Sequence, residues 1–132
     1  MTELLLQGCT GESEATVAEG WTATAMGSGA VPVLATPALV ALMEQAAVRA
    51  LEGGLPPSQT SVGIHMDVSH LAATPVGMGV HARATVVAME GRRITFHIEA
   101  WDEVEKIGEA THERVLVDVA RFTERAGGKR PL

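Results

Sequence analysis

The chain has one cysteine, no tyrosine, two phenylalanines and two tryptophans among its 132 residues. A lone Cys9 excludes an internal disulfide and any multi-cysteine zinc or iron–sulfur cage, and it fits a reducing, cytoplasmic setting. So few aromatics leave almost no platform for stacking bases. Basic residues are scarce too, 10 against 16 acidic ones, for a net charge of −6. A nucleic-acid partner demands a basic face that displaces counterions from phosphates, so none is expected. Long apolar runs are missing as well. Residues 30–43 come nearest, but Pro32 and Pro37 interrupt them and Glu44 and Arg49 follow, short of the roughly 18 residues that span a bilayer. At the N-terminus Glu3 precedes only three consecutive apolar residues, which predicts neither an export signal nor a membrane partner.

What is present is ordinary globular material, 46% hydrophobic and 20% charged. A chain of this length makes one domain, 1–132, with the polar tail from Arg121 solvated and frayed. Val, Thr, Ala and Trp between Thr16 and Met26 suggest a first strand, which Gly27-Ser28-Gly29 breaks. Thr36-Pro37 then reads as a helix start, with Thr36 as the cap. Leu39, Leu42, Met43, Ala46, Ala47 and Ala50 fall on one face of a helix about sixteen residues long, and Gly53-Gly54 stops it.

Beyond the helix the period changes from 3.6 to 2. Val62, Ile64, Met66 and Val68 alternate with Gly63, His65, Asp67 and Ser69, giving a strand with one buried face. Val80 to Ala88 repeat the alternation, and Glu90-Gly91-Arg92 turns the chain into Ile94, Phe96, Ile98 and Ala100. Ile107 to Val119 forms the last strand. There Val115, Val117 and Val119 share a parity with Glu109, Thr111 and Glu113, which implies a bulge or a change of environment midway. Short connections make the neighbours antiparallel. An α+β, five-stranded antiparallel sheet wrapped around one long central helix is the hot-dog architecture, and the free edge of the strand after the helix favours a homodimer.

Polar residues that break these patterns are the candidates for chemistry. Glu44 sits mid-helix beside the apolar stripe, on the flank that also carries Thr36 and Val40. His70 shares the parity of Val62, Ile64, Met66 and Val68, so it closes a buried face. A carboxylate and an imidazole near a helix start, with its spare N–H donors, are the parts for acid–base work on a carbonyl. His65 lies on the face opposite His70, and His81 and His97 are several rungs apart, so no metal site is expected. His112 and Arg114 read as part of a solvent or interface face. Neither a phosphate loop nor a Gly-x-Ser-x-Gly elbow is present.

Four stretches together resemble the thioesterases similar to the bacterial fluoroacetyl-CoA thioesterase, within the hot-dog superfamily. They read Val33-Leu-Ala-Thr36-Pro-Ala-Leu-Val-Ala-Leu-Met-Glu44-Gln-Ala-Ala, Ser69-His70-Leu-Ala-Ala-Thr-Pro75-Val-Gly77, Glu90-Gly-Arg-Arg93 and Ile107-Gly-Glu-Ala-Thr111-His-Glu-Arg114. The resemblance implies hydrolysis of a small or medium acyl-CoA thioester by a homodimer or higher oligomer, with the site near the subunit interface and no cofactor beyond the CoA of the substrate. Carried over by position, it makes Thr36, Glu44 and His70 the working set, Glu44 and His70 activating water or Thr36. Gly63 and Arg114 then line the substrate. The specialist's bulky aromatics ahead of the threonine have no counterpart in the Gly-Ser-Gly-Ala of residues 27–30, so the acyl group stays open. Rival readings are a hydratase or dehydratase of the same fold, and a non-catalytic acyl-CoA-binding protein.

Overall fold

The computed structural model describes residues 6–131, so most of the N-terminal stretch behind the export-signal reading lies outside the described residues. The order is β1 (Thr10–Thr16), a 3-10 turn (Glu19–Trp21), α1 (Ala23–Met26), α2 (Thr36–Ala50), β2 (Gln59–His70), β3 (Gly79–Glu90), β4 (Arg93–Asp102), β5 (Lys106–Asp118) and α3 (Val119–Gly127). The five strands form one antiparallel sheet in the order β1-β3-β4-β5-β2, curled around α2. This is the α+β hot-dog arrangement that the alternation of periods predicts.

The buried residues of α2 are the six of its apolar stripe. Opposite them stand Val80, Ala82, Ala84 and Val86 of β3, and Ile94, Phe96, Ile98 and Ala100 of β4, all buried. Small side chains on both surfaces let helix and sheet approach closely.

The first strand lies ahead of the expected Thr16–Met26 segment, most of which forms the 3-10 turn and α1 instead. Thr22 caps α1 by accepting from the Ala25 amide, and Gly27 ends it at φ 73°. Hydrophobic alternation could not find β1, because its inward positions are Gly11 and Ser13. A Cβ at Gly11 would collide with the backbone of Ala46 and Ala50, and the Ser13 hydroxyl donates to the Leu42 carbonyl at 2.6 Å. Here strand backbone packs on helix backbone, leaving no room for an apolar side chain.

One further expectation is corrected and another is resolved. In β2 the register shifts between Gly63 and His65, and the irregularity turns Ile64 outward, 49% exposed. In β5 the second of the two alternatives holds, a change of environment rather than a bulge, because its outward face passes from exposed Glu109 and Thr111 to half-buried Glu113, Val115 and Val117. The register against β4 shifts only between Ala100 and Trp101, and the inward face of β5 is Gly108, Ala110, His112, Arg114 and Leu116. The described residues of the polar tail are exposed, and as far as Gly127 they are helical, with Asp118 accepting from the Arg121 amide at the helix start.

Candidate active site

Thr36 and His70 come together where α2 begins and β2 ends. The Leu34 amide donates to the Thr74 carbonyl at 2.9 Å, tying the segment before α2 to the loop after His70. Buried Thr74 in turn donates its hydroxyl to Asp102 Oδ2 at 2.9 Å, which fixes that loop on β4. Within this frame Thr36 Oγ1 lies 2.8 Å from His70 Nδ1. Thr36 is therefore not the helix cap that its sequence position suggests: the cap is Ala35, and no side chain caps this end.

Nε2 of His70 is buried and makes no hydrogen bond among the described residues. Burial lowers the His70 pKa from its ordinary value, and the nearby Ala72 backbone opposes that without completing a hydrogen bond to Nε2. The imidazole is thus held neutral near neutral pH, the form in which it can take a proton from a hydroxyl or a water.

Eight residues along α2, the half-buried Glu44 belongs to a second cluster. Its Oε2 accepts from Arg114 Nη1 at 3.2 Å. Nη1 also donates to His112 Nε2 at 3.1 Å, Arg114 Nε donates to Ser61 Oγ at 2.8 Å, and Nη2 donates to the Ser61 carbonyl at 3.0 Å. His112 Nδ1 meets the His65 carbonyl at 2.7 Å. Gly63 is what allows this crowding. A Cβ there would stand 2.9 Å from Glu44 Oε2 and 3.2 Å from His112 Cε1.

Arg114 and His112, read from sequence as a solvent or interface face, are instead 6% and 1% exposed and point inward. Burial lowers the Arg114 pKa and Glu44 opposes it, and the guanidinium remains a cation. Glu44 and Arg114 both line a cavity of about 370 Å³ beside α2, onto which the carboxylate is far more exposed than the guanidinium. Sequence reasoning missed Ser61 and His112. The signal was in β5, where Gly108, Ala110 and Leu116 mark an inward parity that His112 and Arg114 share.

The structure does not place Glu44 on His70. Eight residues of helix amount to about 12 Å of rise. The Glu44 side chain closes that gap only in part, so the two clusters stand at opposite ends of one stretch of α2. Nor are the helix-start amides as free as the sequence suggests. Those of Ala38 and Leu39 both donate to the Ala35 carbonyl at 3.0 Å, and Pro37 has none.

On the outer face of the sheet His97, Glu99 and Glu109 offer ligand atoms within 4.8 Å of one another. Lys106 Nζ lies 2.7 Å from Glu99 and 3.4 Å from Glu109, so an ammonium stands where a cation would. No helix among the described residues is long and apolar enough to cross a membrane.

A family model described as the fluoroacetyl-CoA-specific thioesterase FlK matches residues 17–120, a span that contains Thr36, Glu44, Gly63, His70 and Arg114. A fluoroacetyl-CoA thioesterase from Streptantibioticus cattleyicolor is 40% identical over 99 residues, 75% of this chain and 71% of that protein. The solved structure of the fluoroacetyl-CoA thioesterase FlK superposes with a TM-score of 0.88 at 33% identity, covering 95% of this chain and 97% of that one. A hot-dog-like protein from Thermanaerovibrio acidaminovorans gives 0.83 at 27% identity, with 96% and 97% covered.

Proposed function

The chain belongs to the fluoroacetyl-CoA-specific thioesterase family and hydrolyses an acyl-CoA thioester to free acid and CoA, and we propose that Thr36, His70 and Glu44 carry that reaction. The observation behind the assignment is the 2.8 Å contact between Thr36 Oγ1 and the Nδ1 of a half-buried imidazole whose pKa is lowered. A neutral imidazole against a hydroxyl is a base against a nucleophile.

The thioester carbonyl lies between the two clusters. On one side His70 draws a proton from Thr36 or from a water in its place, and the oxygen attacks the carbonyl carbon. On the other side Glu44, held by Arg114, orients the single water that hydrolysis consumes, which either attacks the thioester itself or cleaves the ester formed on Thr36. CoA departs as a thiolate, which needs little help from a general acid because a thiol is far more acidic than an alcohol. Gly63 and Arg114 line the carboxylate end of the site. The physiological acyl group is small or medium in size.

The enzyme works as a homodimer, joined along the free edge of β2, which ends the sheet opposite β1. It works in the cytoplasm and needs no cofactor.

Free-thiol release from short, long, aryl and fluoroacetyl CoA thioesters tests the activity and ranks the acyl groups. Thiol release separates a thioesterase from a hydratase, which leaves the thioester intact, and from a binding protein, which consumes nothing. Folded protein that releases no thiol from any of them would overturn the proposal.

A further inference from the structure

Arg114 has one acceptor whose chemistry is conditional. Its contacts with Ser61 Oγ, the Ser61 carbonyl and Glu44 are to oxygen, but Nη1 also points at His112 Nε2, 3.1 Å away. A guanidinium has donors only, so His112 Nε2 must be the acceptor and carry no proton. The ring proton then sits on Nδ1 and is donated to the His65 carbonyl at 2.7 Å, beside the register shift of β2. One tautomer alone satisfies both contacts. Protonation would remove the acceptor and put a second cation 3.1 Å from Arg114, away from water.

We propose that His112 is a positioning residue that works only as the neutral Nδ1–H tautomer, aiming Arg114 at Glu44 and releasing that aim when it is protonated. The inference rests on the reading of Glu44 as part of the active site, although the tautomer itself does not. His112 is 1% exposed and packs against the Phe96 ring, with centroids 6.0 Å apart, so the imidazole cannot swing out to find another partner. The ionisable groups facing it are Arg114 on its own strand, Glu44 on α2 and His65 on β2, while β4 contributes the apolar Phe96. Burial is the main influence and lowers the His112 pKa. The His65 carbonyl pulls upward, Arg114 downward and Glu44 upward. The neutral form therefore holds at neutral pH and fails on the acid side.

Two variants separate positioning from packing. His112→Gln keeps an acceptor within reach of Arg114 and cannot titrate, whereas His112→Phe keeps a ring beside Phe96 and accepts nothing. At pH 7.5, His112→Gln should retain most of the wild-type kcat/KM, and His112→Phe should lose roughly 10- to 100-fold with its fold intact. Toward acid, the wild-type profile should fall with the uptake of one more proton than that of His112→Gln. Equal activity in folded His112→Phe, or an unchanged acid limb in His112→Gln, would overturn the proposal. Two-bond proton–nitrogen spectra of the 15N-labelled wild type read the tautomer without reference to activity. A protonated Nδ1 with a bare Nε2 on His112 is expected, and an Nε2–H tautomer would overturn the proposal even in a fully active thioesterase.

Discussion

Thr36 Oγ1 lies 2.8 Å from His70 Nδ1, so the hydroxyl best placed to cap α2 is engaged by an imidazole from the end of β2. Function and helix stability make separate claims on this residue, and they can be measured separately. Thr36→Ala should lower kcat by roughly 100- to 10,000-fold, the range for loss of a positioned acid–base partner. Its melting temperature should stay within a few degrees of wild type, because no cap is lost. Thr36→Ser keeps the hydroxyl and should keep much of the rate. Thiol release and thermal melting of both variants check this.

Gly63 faces Glu44 and His112, and an added methyl would meet Glu44 Oε2 at 2.9 Å. The alanine variant should displace Glu44 or Arg114 and reduce kcat/KM by up to about 100-fold, as a misplacement near 1 Å can. Steady-state kinetics on folded Gly63→Ala decides it, and unchanged activity would remove Gly63 from the site.

Gly11 lies against the backbone of α2, at a stretch of that helix beyond Thr36 and Glu44. In Gly11→Ala the methyl collides with the α2 backbone at Ala46 and Ala50. Overpacking of this kind costs about 1–3 kcal/mol, which should lower the melting temperature by roughly 5 °C or more. A calorimetric scan measures it, and a melting temperature equal to wild type would contradict the packing described for β1.

His70 and His112 both have pKa values lowered by burial, so in the folded protein each gives up its proton at a lower pH than in the unfolded chain. Between the folded values and the ordinary 6.5, the unfolded state binds more protons. Stability should therefore be fully present above the ordinary histidine value and should fall as pH drops below it. Melting temperatures between about pH 8 and pH 5 test the sign. A melting temperature that rises on acidification through this window would contradict it.

The parts of the fold that were legible are those where side chains alone fill the core. The α2 stripe from Leu39 to Ala50, the alternation of β4 and that of β3 as far as Val86 appear in the structure as the residues dictate, whereas a register shift between Val86 and Ala88 leaves the expected inward Ala88 exposed. Legibility ends where backbone packs on backbone, as at Gly11, and where a single extra residue reverses a face, as at Ile64. It also ends where polar residues are buried because they satisfy each other. His112 and Arg114 look like surface residues until Ser61, Glu44 and the His65 carbonyl are set around them. Glu44, His70 and Thr36 stood out as pattern breakers, yet their division into two clusters depends on how β2 crosses α2, which no local pattern records.

The central claim is that this chain cleaves acyl-CoA thioesters with Glu44 at work. Its most direct test is free-thiol release from a panel of acyl-CoAs, run side by side with wild type and Glu44→Ala. Wild type should release CoA from at least one short or medium thioester, and the variant, folded to the same extent, should lose that activity by orders of magnitude. Release that is undiminished in Glu44→Ala would contradict it.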